Sequence, residues 1–160
     1  MTLRGWARGA NICRCSHLRN DASLDDADFS GALLDGADLS GARLDNANLF
    51  GADLQGAKLV GASLRRADLR GACLRGADLS GADMFEADLR EGAIAAADKA
   101  RGYRVLEHLQ RASHAHGAIL AGANLERSRL TGIVAVSADF TDAVMKDCKW
   151  VRANLKAATL

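Results

Sequence analysis

Cys13, Cys15 and His17 alternate as they would along one strand, and thiolate and imidazole are the donors that transition metals take. A zinc site wants four ligands, and the other two cysteines, Cys73 and Cys148, stand far away in the chain. Cys13 and Cys15 therefore read as capping-region thiols, and no metal or cofactor is expected. His108, His114 and His116 fall in an irregular stretch, where the expectation is a solvated helix end. The 20 acidic residues could in principle do acid–base work. They recur, however, at a fixed outward place in a repeated unit, and no Ser, His or Cys has a partner set by a motif. An enzyme is not expected.

The repeat is what positions these groups. Alanine returns every five residues without a break from Ala22 to Ala87, and two places after each stands a larger apolar residue, from Leu24 and Phe29 through Met84 to Leu89. Five does not match the 3.6-residue helical period, whereas residues two apart share one side of an extended backbone. Each unit thus reads as a short extended side and a corner. The corner residue is Gly at Gly31, Gly36, Gly41, Gly51 and onward, except at Asp26, Asn46, Arg66 and Glu86, which are spaced by twenty. One corner in four is expected to have a different turn geometry. A coil is then four units, with residue i under residue i+20. The absence of Pro suits a backbone whose N–H groups are needed in ladders along its length.

The unit stands here as Ala-Asp-Leu-Ser-Gly and Ala-Asn-Leu-Phe-Gly, and it resembles the pentapeptide-repeat family over most of the chain. The resemblance implies an all-β fold, a right-handed quadrilateral β-helix with Leu and Ala inward and polar positions outward. Residues 1–21 are expected to form an N-terminal cap and an irregular coil, with Leu3 and Trp6 as cap and Ala10, Ile12 and Leu18 as early units. Residues 22–96 form the regular repeats, 97–116 an insertion and 117–160 a second repeat block. In that second block Ile133 is large where Ala135 is small, a swap that conserves volume. In the insertion Tyr103, Val105, Leu106, Leu109 and Ala112 suggest one face of a short helix. Ile94 to Leu120 is 26 residues where the repeat would use five, so 21 residues are inserted.

Net charge is +1 over 160 residues, yet Asp21 to Val60 holds eight Asp against Arg43 and Lys58, a net of −6. Arg65, Arg66, Arg70 and Arg75 follow, and Arg4, Arg8, Arg14 and Arg19 precede. The leading expectation is a cytoplasmic scaffold that binds an unidentified protein partner through the insertion, at Tyr103, Arg104 and His108. Some family members are similar to B-form DNA in shape and charge and bind DNA gyrase or topoisomerase IV in its place, in quinolone or toxin resistance. The resemblance implies this as the alternative, with Asp25, Asp26, Asp28, Asp35, Asp38, Asp45 and Asp53 standing for phosphates. Direct nucleic-acid binding and a membrane span are not expected. An uncovered last coil exposes apolar core and strand edges, so a homodimer through Trp150, Leu155 and Leu160 is expected.

Overall fold

In a computed structural model the described residues are 22–90, 95–98, 102–105, 115 and 117–160. They form a solenoid of parallel coils. One residue of each unit pairs with its equivalent in the next coil, so four ladders run along the rod. The first side carries Ser23, Arg43, Ser63, Asp83, Asn124 and Val144, and the second carries Asp28, Asn48, Asp68, Asp88, Arg129 and Lys149. The third carries Leu33, Asp53 and Cys73, then Val134 and Asn154, and the fourth Asp38, Lys58, Asp78, Ile119, Asp139 and Thr159. Up to Asp88 the offset between rungs is 20 residues; where Asp78 meets Ile119, Asp83 meets Asn124 and Asp88 meets Arg129 it is 41. The difference, 21 residues, leaves the rod without breaking its stacking.

In a typical interior unit four backbone amides find carbonyls. In the second unit Asp28 serves as an example: Phe29 donates to Asn48 at 2.7 Å, Gly31 to Phe50 at 2.8 Å and Ala32 to Phe29 at 3.0 Å. Asn48 donates back to Ala27 at 2.9 Å. The amide after the central residue is left over, and the side chain two places before it accepts it. Ser30 N–H donates to Asp28 at 3.0 Å, Ser40 N–H to Asp38 at 3.1 Å, Phe50 N–H to Asn48 at 3.1 Å and Ser80 N–H to Asp78 at 3.0 Å. Asx residues recur because each closes this local turn and satisfies the remaining donor. Asp78→Ala should therefore cost about 1 kcal/mol in urea unfolding, while Asp78→Asn, which keeps an acceptor oxygen, should cost much less. Equal losses for the two would reject this role.

The corners differ from the sequence expectation. Asp26, Asn46, Arg66 and Glu86 have φ of 56–59°, the same left-handed region as Gly36 and Gly56 at 64°. They also close the same turn, with Ala27 donating to Leu24 at 3.1 Å as Ala32 does to Phe29. The four corners share one geometry. What sets this edge apart is side-chain stacking: Arg66 Nε donates to Asn46 Oδ1 at 2.8 Å, and Arg127 lies 3.8 Å from Glu86. At Gly56 an added Cβ would meet nothing within 4 Å. Gly56→Ala should thus show backbone strain alone, a loss of about 1 kcal/mol in thermal or urea melts, and a much larger loss would expose a missing packing contact.

The core is the column of Ala and Leu positions, each at most 3% exposed from Phe29 to Leu89. Ile133 and Ala135 are both buried, as the volume swap requires. Ala115 also stands in a central position, its N–H donating to Val134 at 2.8 Å, so two successive coils have Ala there. Ile133 and Phe140, also buried, supply bulk near them. Ser128 takes an alanine place and is fully buried, its hydroxyl donating to the Met84 carbonyl at 2.6 Å.

The described part of the insertion is not helical. β1 (Ala95–Asp98) and β2 (Gly102–Val105) pair antiparallel, with Ala97 opposite Tyr103 and Ala96 opposite Arg104. Tyr103 and Val105, expected on a helical face, are two places apart, the spacing of one strand side, and both residue types favour strands. Leu106, Leu109 and Ala112 lie outside the described residues, as do the expected cap and first irregular coil. No helix among the described residues is long and apolar enough to cross a membrane.

Candidate interaction surface

With the core filled by Ala and Leu, chemistry is left to the outward positions. The seven acidic residues proposed as a contact do not share one side. Asp25, Asp26 and Asp45 belong to the first side and its corner, Asp28 to the second, Asp35 and Asp53 to the third and Asp38 to the fourth. The acidic excess lies in the first described coil: residues 22–41 hold five Asp and no Lys or Arg. In residues 42–61, Arg43 and Lys58 balance Asp45 and Asp53. Several carboxylates are also engaged within the rod. Asp25 meets Arg43 at 2.7 Å and accepts the Asp45 N–H at 3.1 Å, and Asp45 accepts from the Ser63 hydroxyl. Asp28 accepts from the Asn48 amide at 3.0 Å, and Asp53 from the Gln55 N–H at 3.1 Å.

Tyr103 and Arg104 fall within β2, and His108 lies outside the described residues, as do Cys13, Cys15, His17, His114 and His116. Trp150, Leu155 and Leu160 are brought to one end, on the second, third and fourth sides of the last coil. Trp150 and Leu155 are partly buried and Leu160 is 71% exposed. The Phe140 and Trp150 rings meet edge to face with centroids 5.7 Å apart. Cys148 donates to the Leu125 carbonyl at 2.8 Å, and burial pushes its thiol above the usual value, away from reactive thiolate.

Sequence reasoning missed the basic character of the second side. Arg70 pairs with Asp68 and Arg90 with Asp88, each at 2.6 Å, and Arg129 lies 3.7 Å from Asp88. Lys149 continues the column. Arg70 lies 5.3 Å from the centre of the Phe50 ring. On the first side Arg65 and Arg127 lie over Phe85 at 4.7 and 5.7 Å. The edge between these sides is an open groove of about 720 Å³ that runs past Arg66, Glu86, Arg127, Arg129, Asp147 and Lys149. These residues are 20 or 41 apart in the chain, so their grouping is visible only once the offset across the insertion is applied.

Among the described residues three carboxyls are held below their usual value. Hydrogen bonds from the Ser40 hydroxyl and N–H lower Asp38, and those from Thr141 lower Asp139. Burial pushes Asp88 up, but hydrogen bonds and charge from Arg90, with the charge of Arg129, outweigh it. A depressed folded-state pKa contributes stability that is present above the unfolded value, about 3.9, and is lost as pH falls through the folded value. The melting temperature should therefore be insensitive to these groups from pH 7 to 5 and fall below about pH 4. A scan of melting temperature against pH checks this; a maximum near pH 3 would refute it.

The model of pentapeptide repeats matches residues 22–57 and 47–84, in 8 copies. HetL, a pentapeptide repeat protein involved in heterocyst differentiation regulation from the cyanobacterium Nostoc, is 29% identical, with 86% of this chain and 61% of HetL covered and a TM-score of 0.53. A pentapeptide repeat protein from the Arabidopsis thaliana thylakoid lumen is 32% identical, with 79% of this chain and 69% of that one covered and a TM-score of 0.41. QnrB1, a plasmid-mediated fluoroquinolone resistance protein, is 17% identical over 92% of this chain and 90% of its own, with a TM-score of 0.30. The search of functionally curated proteins found no match. This chain thus spans about three fifths of the length of HetL. Ladder, core and matches agree, and the chain belongs to the pentapeptide-repeat family.

Proposed function

We propose that this chain is a non-enzymatic scaffold that binds a protein partner. The observation that carries this is the 41-residue offset across the insertion: a 21-residue segment leaves a rod whose stacking does not need it. A segment whose described strands pair with each other is suited to recognition, and repeat rods are suited to holding such a segment in place. HetL's involvement in a regulatory process is in keeping with a binding role. The gyrase alternative has less support, because the seven carboxylates ring the rod and five basic residues of the second side follow them, whereas a duplex offers a continuous line of negative charge. Self-association through Trp150, Leu155 and Leu160 is part of the same proposal.

The experiment is affinity capture from native lysate with the wild type and with a variant lacking residues 92–112, followed by reconstitution with the purified candidate. A defined partner that binds wild type stoichiometrically and not the deletion supports the scaffold. Capture of gyrase subunits, with supercoiling inhibited by wild type and not by a variant with Asp25, Asp28, Asp38 and Asp45 changed to Asn, would replace it with mimicry.

A further inference from the structure

The second side holds a depression that, among the described residues, no carboxylate lines. Along the position after the central residue, successive coils carry Arg70, Arg90, Thr131 and then Val151, with Arg152 at the corner beyond. Thr131 is short beside Arg90, as is Val151 beyond it. It leaves an open notch of about 280 Å³ lined by Arg70, Arg90, Thr131 and Arg152. We propose that this notch is a binding subsite for a phosphoryl oxyanion, with the three guanidiniums as charged donors and the Thr131 hydroxyl as a neutral one.

Asp68 takes Nε and Nη2 of Arg70, at 2.8 and 2.6 Å, and Asp88 takes the same two nitrogens of Arg90, at 2.8 and 2.6 Å. These bidentate pairs fix the planes of two guanidiniums at the notch before any ligand arrives, which lowers the ordering cost of binding. Arg152 makes no ion pair among the described residues. Hydrogen bonds and charge from Asp88 hold Arg90 charged above the ordinary guanidinium value, so both paired guanidiniums stay cationic at any pH a phosphate probe would meet. With Arg129 and Lys149 the described residues of this side set five cations against Asp68 and Asp88 from the third to the sixth rung, and Glu91, which follows Arg90 in the sequence, brings the net to +2. A single tetrahedral group fits better than a nucleic-acid backbone. The side begins with Asp28, and Glu86 and Asp147 line the neighbouring groove, where a run of phosphates would be repelled.

This subsite stands apart from the scaffold reading, since it needs neither the insertion nor a protein partner. The test is titration of the full chain, observed by amide NMR at low ionic strength, with inorganic phosphate, with a phosphoserine peptide and with the same peptide unphosphorylated. Both phosphate probes should give saturable shifts at Thr131, Arg90 and Arg152, and the unphosphorylated peptide none. Equal affinity for the two would mark a free phosphate as the source, and tighter binding of the peptide a phosphorylated chain. Thr131→Glu, which fills the notch and adds a negative charge, should weaken binding about tenfold or more, Thr131→Ser should change it less than about twofold, and Arg152→Gln should weaken it about tenfold. Far-ultraviolet spectra confirm that each variant is folded. Unsaturable shifts spread over all Lys and Arg amides would overturn the proposal as an adventitious ion only. So would an unaffected Thr131→Glu, or a single-stranded oligonucleotide binding far tighter than either phosphate probe, which would make the side a polyanion surface instead.

Discussion

Leu59→Ala should lower the unfolding free energy by about 2–5 kcal/mol, and Ala57→Leu, two residues away, by about 1–3 kcal/mol. Both side chains are fully buried. Neither site can relax by shifting the backbone, because it is bonded from both sides: Leu59 donates to Asp78 at 2.6 Å, Lys58 to Ala37 at 2.8 Å and Asp78 to Ala57 at 2.9 Å. A cavity left at Leu59 stays open between Leu39 and Leu79 of the adjoining coils, and a leucine at residue 57 has no outward escape. The two changes act oppositely on volume, so equal insensitivity of the urea midpoint to both would rule out a close-packed narrow core. Loss from Leu59→Ala alone would mean that the core is loosely filled near Ala57.

The core was readable because its two signals reinforce one another. A five-residue period excludes a helix, and an i, i+2 apolar pair selects one side of an extended chain. The coil length came out correctly from Asp26, Asn46, Arg66 and Glu86, but for a different physical reason: these residues share the left-handed corner geometry of glycine and are distinguished by contacts between neighbouring coils. Periodicity marks equivalence and does not say which interaction enforces it. Tyr103 and Val105 lie on a strand and not on the expected helix, because five apolar residues within ten positions fit more than one period and the spacing of these two is that of a strand side. The basic second side was hidden for a third reason. Arg70, Arg90, Arg129 and Lys149 are neighbours only through the stacking offset, and local charge counting spreads them over bands along the chain.

Removing residues 92–112, so that Glu91 joins Ser113, should leave a folded rod with an unchanged β-type spectrum and a melting temperature within a few degrees of wild type, while partner binding is lost. The deletion returns the offset of Asp78 to Ile119 from 41 to 20, the value of every earlier rung. The bonds that span the insertion, Leu79 to Ile119 at 2.7 Å and Met84 to Asn124 at 2.7 Å, then lie between coils joined by a direct connection. Shortening a closed loop changes its entropy only slowly with length, so no large gain or loss in stability is expected from that source. Ala115 is fully buried and lies beyond the cut, so the core column of the third side keeps its occupant. Circular dichroism and thermal melts read the fold, and the reconstituted complex reads the binding. An unfolded deletion protein would mean that the inserted segment supports the rod. A folded deletion protein that keeps full affinity would move the recognition surface onto the coils themselves.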